Sequence, residues 1–209
     1  MLSLSLPAAV RPNIVSGPAV PRLRLHAAGS PRRHEVESFI SSVYRERYGA
    51  ELRHFAPVLV SLHDEHDDCV AAAGYRTADT GPLFLERYLS GAVETLLPAP
   101  AGRWPVRQRI VEVGHLAAAR AGEGRRLILL LGPHLAGQGF EWVVSTLTQE
   151  LRNLFVRMGV APLALGVAGP GVLGDQAAQW GSYYDHRPLV LAGRLDAALQ
   201  MLARRSAAA

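Results

Sequence analysis

From Arg109 to Ala168 the chain alternates between two hydrophobic periods, and that alternation restricts the fold more than any other feature of its 209 residues. RIVEVGHLA (109–117), FEWVVSTL (140–147) and PLALGVA (162–168) have the short, β-branched character of strands. Between them, RRLILLLGPHLAGQG (125–139) and TQELRNLFVRMG (148–159) have helical spacing. Strand, helix, strand, helix, strand implies parallel pairing with crossover helices. In the second helix Leu151, Leu154, Phe155 and Met158 fall at i, i+3, i+4 and i+7, Thr146 and Gln149 make a capping-box pattern, and Gly159 closes it. Gly132 and Pro133 predict a kink or break in the first helix. PLVLAG (188–193) reads as the last strand, followed by a terminal helix from Arg194 to about Arg205.

The first half has a different rhythm. Residues 1 to about 21 are rich in Pro, Ser and Ala and read as an extended lead-in, with one domain over 22–205. Leu23 and Leu25 alternate with Arg as in a short edge strand, and Val36, Phe39, Ile40, Val43 and Tyr44 give a helix over 31–48 one apolar stripe, ended by Gly49. PVLVSL (57–62) and VAAAGYR (70–76) read as a hairpin joined by HDEHDDC (63–69), whose His and acidic residues resemble a metal set but suit a turn; no metal is expected. The segment from Asp79 to Gln108 has a short helix at LFLERYL. Its Phe84, Leu85, Tyr88, Leu96 and Trp104 either wall an apolar pocket or pack on the sheet, and Glu86 either serves a substrate or pairs with Arg87.

A hydrophobic fraction of 49% supports a packed globule, and no apolar run approaches the roughly 18 residues needed to span a bilayer. The start MLSLSLPAAV lacks a basic region and carries Pro7, so neither a signal peptide nor a membrane span is expected. A single cysteine, Cys69, fits the cytoplasm. The net charge of +4 comes from scattered Arg, with a local excess before Glu35 that would attract a phosphorylated cofactor or an acidic carrier protein. No nucleic-acid partner, internal repeat, Walker A motif or dinucleotide fingerprint is indicated.

Several stretches in order, AAAGYR, LFLERYL, RIVEVGHLAA, LRNLFVRMG and WGSYYDHRPLVLAG, resemble the thermostable hemolysin family, whose members are similar to acyl-homoserine-lactone synthases within the GNAT acyltransferase superfamily. The resemblance runs from about Arg33 to Gly193. It implies an α/β (α+β) fold: a GNAT-like mixed, mostly antiparallel twisted sheet with a splayed central parallel pair, flanked by helices. It also implies an acyl-thioester arm lying between the splayed strands, past Leu116 and Ala117 and near Asn153 and Arg152, with its phosphates at the N-terminus of the first crossover helix. That junction reads ARAGEGRR, in which Gly122 and Gly124 allow close approach and Arg120, Arg125 and Arg126 add charge; Arg120 sits one residue nearer to Gly122 than the superfamily pattern places it. The alternative there is an ordinary flexible turn.

Glu112 lies among Ile110, Val111 and Val113, where burial would raise its pKa and suit it to accept a proton from an ammonium nucleophile; otherwise it pairs with Arg109 or another Arg. Strict alternation sets Glu112 and His115 on opposite faces, and a bulge at Gly114 would bring both to one. Many GNAT enzymes carry a tyrosine on the second crossover helix where this chain has Phe155, so a proton donor is sought in WGSYYDH: Tyr184 as donor or orienting hydroxyl, Tyr183 as its near substitute, Asp185 as partner of a cationic amine, and Trp180 on the rim. The plainer reading is that Trp180 and one tyrosine close the core while Asp185 caps a turn. Thr146, Phe84, Glu86 and Trp104 complete the substrate set. The activity implied is N-acyl transfer from a thioester or adenylate, namely acyl-CoA, acyl carrier protein or acyl-adenylate, to an amine such as an amino acid. No tightly bound cofactor is expected, the strand backbone polarises the carbonyl, the Asp79–Gln108 insertion holds a fatty chain, and a homodimer is compatible. Rival readings are a membrane-active haemolysin and a non-catalytic carrier-binding protein.

Overall fold

A computed structural model describes residues 23–99 and 102–207; the expected lead-in at 1–21 lies outside them. Seven strands form one sheet in the order β1-β2-β3-β4-β5-β7-β6: β1 (Leu23–His26), β2 (Val58–His63), β3 (Cys69–Thr77), β4 (Ile110–Ala118), β5 (Trp142–Leu147), β6 (Leu163–Val167) and β7 (Leu189–Arg194). All neighbours run antiparallel except β4 and β5. The parallel pairing inferred from the alternation therefore holds for one pair alone. β6 does not join β5, because β7 takes that place and pairs with both.

The helices are α1 (Arg33–Tyr48), α2 (Val93–Leu96), α3 (Glu123–Gly137), α4 (Gln149–Met158) and α5 (Leu195–Ala207). Each strand sends alternate residues to two faces. On the back face Val60, Leu62, Ala71, Ala73, Val111 and Val113 pack against Leu127, Leu131 and Leu135 of α3 and Leu195 of α5. This leucine stripe, spaced every four residues, lies on both sides of Pro133, and α3 runs on through Gly132 and Pro133 instead of breaking there. On the front face Val36, Ile40, Tyr44 and Tyr48 of α1 cover Leu59 and Ala72. The insertion packs beside them: Leu83, Leu85, Val93 and Leu97 are buried against Ile110, Val144 and Val190. At the N-terminus of α4 the capping position is Thr148, while Thr146 belongs to β5, so the capping pattern read from the sequence is displaced by two residues.

Residues 170–186 follow a run of 3-10 turns that starts anew at Gly174 and Gly181, whose φ values are 52° and 51°. Gly181 abuts the end of α1, where a Cβ would collide with the Tyr48 carbonyl oxygen. Two hydrogen bonds stitch the same junction: Glu51 N–H to the Gln179 carbonyl at 2.7 Å and the Ser182 hydroxyl to the Tyr48 carbonyl at 3.3 Å. This suture holds the tyrosine-rich segment against α1. We expect Gly181→Ala to lower unfolding free energy by more than about 2 kcal/mol in urea titrations. Gly49→Ala, at φ 65° with open space around its Cβ, should cost about 1 kcal/mol.

Candidate functional site

The site begins where β4 and β5 part. They are paired only from Ile110 with Trp142 to Glu112 with Val144, and beyond that point the strands diverge. β4 also carries a bulge: its register against β3 shifts between Ala72 and Gly74, so that His115 and Leu116 stand opposite Ala73 alone. The strained residue is His115 (φ 54°), one position later than the bulge expected at Gly114. With the bulge in place, Glu112 and His115 both line the same cavity.

That front cavity has a volume of about 160 Å³. Its floor is β4 and Thr146 of β5, and aromatic rings wall it: Tyr44 and Tyr48 from α1, Phe84 and Tyr88 from the insertion, and Trp180, Tyr183 and Tyr184 from the 3-10 segment. Charge enters through Glu112, Arg76, Glu51 and Arg53. Glu112 is 8% exposed and accepts the backbone N–H groups of Phe84 (2.8 Å) and Leu85 (3.0 Å), while the Arg76 guanidinium stands 3.7 Å away. Burial outweighs these partners and raises its pKa above the ordinary carboxylate value. Arg109 pairs with Glu141 instead.

Tyr184 and Tyr88 share a hydroxyl–hydroxyl bond of 2.6 Å, and burial followed by that bond pushes Tyr184 far above an ordinary phenol. Tyr183 donates to the Thr146 carbonyl at 3.2 Å and is likewise raised by burial. Two buried polar atoms of cavity-lining residues, His115 Nδ1 and Thr146 Oγ1, have no hydrogen-bond partner among the described residues.

Two further spaces adjoin. A groove of about 70 Å³ runs from Gly124 in the first turn of α3 past Ala117 to Leu116 and Leu151, which also line the front cavity. Gly122 caps α3 at φ 94°, leaving the first-turn N–H groups without helical acceptors. Arg120 and Arg125 are exposed near this end, and Arg126 pairs with Glu123 at 3.1 Å. Behind the sheet lies an apolar chamber of about 100 Å³ among α3, α4 and α5, which shares Val113 and Leu116 with the front cavity.

Other expected members lie elsewhere. Glu86 is held by Arg107 (2.8 Å) and by the N–H groups of Leu83 and Val93, which consume its acceptors; it pairs with Arg107, not Arg87. Trp104 is 58% exposed, and Asp185 and Asn153 lie at the surface outside the cavity. Asn153 bonds Gln149 at 3.2 Å. Leu83, Leu85, Val93 and Leu97 are spent on packing, so the insertion contributes only Phe84 and Tyr88 to the cavity wall. In the HDEHDDC turn Asp67 binds Arg24 and Arg32, and among the described residues no cluster of three or more His, Cys, Asp or Glu side chains could hold a metal. Arg76 and the loop residues Glu51, Arg53 and His54 also line the cavity; the sequence signal for Arg76 is a lone arginine at the end of the apolar strand AAAGYR, opposite a lone glutamate in the next strand.

A model of the thermostable hemolysin family matches residues 26–199. The chain belongs to that family. No curated protein matches it. Among solved structures it is similar to the acyl-homoserine-lactone synthase LasI (TM-score 0.60, 13% identity, 88% of this chain and 94% of that one). It is also similar to FeeM, an N-acyl amino acid synthase from uncultured soil microbes (0.57, 13%, 86% and 94%), and to apo TofI (0.56, 20%, 86% and 96%). At such identities the likeness establishes the GNAT-like fold, with its mixed, mostly antiparallel sheet and splayed parallel pair.

The cavity makes one pH prediction. Burial lowers the His115 pKa to about 4, so the folded ring stays neutral while the unfolded one gains a proton near 6.5. Stability is then lost as pH falls from about 6.5 towards about 4. Asparagine tolerates positive φ, so His115→Asn should fold and lack this loss. Over that window its stability relative to wild type should rise by about 3 kcal/mol, read from urea midpoints.

Proposed function

We propose that this chain is an N-acyltransferase that joins an activated long-chain acyl group to an amine. The observation that carries this reading is the parting of β4 and β5 beside a buried carboxylate, at the meeting point of three spaces suited to three parts of an acyl donor. The α3 N-terminus and its groove suit a phosphorylated arm. The fork suits the thioester, and the apolar chamber behind it suits the tail. The neighbouring structure of BjaI, a CoA-dependent acyl-homoserine-lactone synthase, holds SAM and isopentyl-CoA, which supports a thioester donor. A CoA ester or a carrier-protein ester would present the same thioester chemistry.

In this reading the amine nitrogen attacks the acyl carbonyl carbon, the carbon–sulfur bond breaks, and the thiolate leaves. Glu112, with its raised pKa, takes one proton from the bound ammonium to free the attacking amine and passes it to the leaving thiolate. The second nitrogen proton, lost as the tetrahedral intermediate collapses, goes to solvent, so that ammonium and thioester give amide, thiol and one proton. Unpaired strand groups at the fork and the free Thr146 hydroxyl polarise the carbonyl. Burial and the bond to Tyr88 hold the Tyr184 proton, so Tyr184 takes the orienting role, fixed by Tyr88.

Incubation with long-chain acyl-CoA and a pool of amines, followed by mass spectrometry, should show acyl amides and stoichiometric free thiol. Lysis of red cells on contact, without any amide from CoA or carrier-protein donors, would replace this reading with a direct haemolysin. Because the base must be ionised, kcat/KM should rise with pH through the elevated Glu112 pKa and then level. Glu112→Gln should remove that limb and lower kcat/KM roughly a hundredfold or more, whereas Tyr184→Phe should cost less than about tenfold.

A further inference from the structure

Among the described residues five arginines are half-buried: Arg32, Arg33, Arg76, Arg107 and Arg152. Four of them are hydrogen-bonded. Arg33 holds Glu37 and the carbonyls of His26, Ala56 and Pro57, and Arg107 holds Glu86, Glu94 and the carbonyls of Ala78 and Gly81. Arg32 binds Glu35 and Asp67, and Arg152 binds the Leu147 and Arg187 carbonyls and Gln149. The Arg76 guanidinium makes no hydrogen bond among the described residues. Its side chain is 31% exposed and its nearest counter-charge, Glu112 Oε2, is 3.7 Å from Nε. A guanidinium carries five donors in a planar fork that fits a carboxylate, and removing one from water without filling that fork is costly. The Arg76 side chain lines the front cavity.

We propose that Arg76 is the carboxylate-binding residue for the acceptor, and that the acceptor is therefore an amino acid with a free carboxylate. The inference rests on the acyl-transfer reading and adds the substrate class. β3 and β4 set Arg76 directly opposite Glu112 on the same face, so a cation and an anion stand side by side at the fork. An α-amino acid carries its ammonium and carboxylate on one carbon. Its ammonium meets Glu112 and its carboxylate meets Arg76, giving four alternating charges with no net charge left in a desolvated space. A simple amine would leave the Arg76 fork empty, and a dianionic acceptor would face Glu112. The aromatic walls at Phe84, Trp180 and Tyr184 then receive the acceptor's side chain.

The test is competition on the intact chain. An equimolar pool of the twenty amino acids and the matching pool of amino acid carboxamides, in which the carboxylate is neutral, are each offered with excess long-chain acyl-CoA. Mass spectrometry reads the products, and tryptophan fluorescence reads binding of each pool without donor. Wild type should acylate and bind free acids in preference to carboxamides. Read at a pH on the plateau of both rate profiles, where loss of the Arg76 charge beside Glu112 does not enter, Arg76→Gln should lower the preference for the free acid over its carboxamide about tenfold to a hundredfold, with Arg76→Lys between. A purely structural Arg76 would move both alike. Acylation of carboxamides and free acids at equal efficiency, or an equal loss for both in Arg76→Gln, overturns the carboxylate site while acyl transfer stands. If neither pool is acylated, the acyl-transfer reading fails, and selective fluorescence binding of free acids decides the Arg76 site by itself.

Discussion

The separation of β4 from β5 after three paired residues is the constraint on which the rest of the structure depends. Parallel strands in a twisted sheet stay together when their backbone groups pair. Here a bulge at His115 interrupts β4 before β5 ends, and Val113 and Leu116 beside it border both the front cavity and the apolar chamber behind the sheet. The bulge has close structural requirements. Gly74 must lack a side chain because a Cβ would stand 2.8 Å from Ala56 and 3.2 Å from His115 Nδ1, and the imidazole itself fills the space beneath. Positive φ at a histidine is strained, and the burial of His115 against Phe55 and Gly74 keeps it there.

Charge follows from that geometry. Once β4 bends, Glu112 is left at the end of the paired stretch, and two N–H groups at the start of the 3-10 turn of the insertion reach across to it. Those bonds stabilise the carboxylate and burial opposes it, with burial the larger effect. The aromatic rings deepen the imbalance by excluding water, and the suture between Gly181 and Tyr48 keeps the rings in place. Sequence segments far apart, 44–56, 76–88, 112–116 and 176–184, thus line one cavity beside a local backbone irregularity.

The crossover helices, the hairpin and the last strand were legible because each buries a face with its own period. Leu127, Leu131 and Leu135 outweigh the breaking tendency of Gly132 and Pro133, which a local rule alone does not weigh. The place of β7 between β5 and β6 was not legible from periodicity, since an alternating apolar strand fits beside any neighbour; the likeness to GNAT folds supplied the splayed pair. Within the site Glu112, Tyr184 and Tyr183 stood out as polar groups among apolar neighbours. Arg76 stood out equally, but its meaning depends on the β3–β4 register, which pairs it with Glu112. Asp185 and Trp104 drew attention by type and lie at the surface, because burial in irregular segments carries no sequence period. Glu86, conspicuous for the same reason, is an internal tie for Arg107.

The most direct measurement is a co-crystal structure with a long-chain acyl-pantetheine thioether, an inert mimic of the portion common to CoA and carrier-protein donors. Density for the sulfur between β4 and β5 is expected, next to Glu112, with the pantetheine towards Gly124 and the tail beyond Val113 and Leu116 in the apolar chamber. Density confined to another surface, or a fork filled by its own side chains with the thioether excluded, would contradict acyl delivery through the sheet.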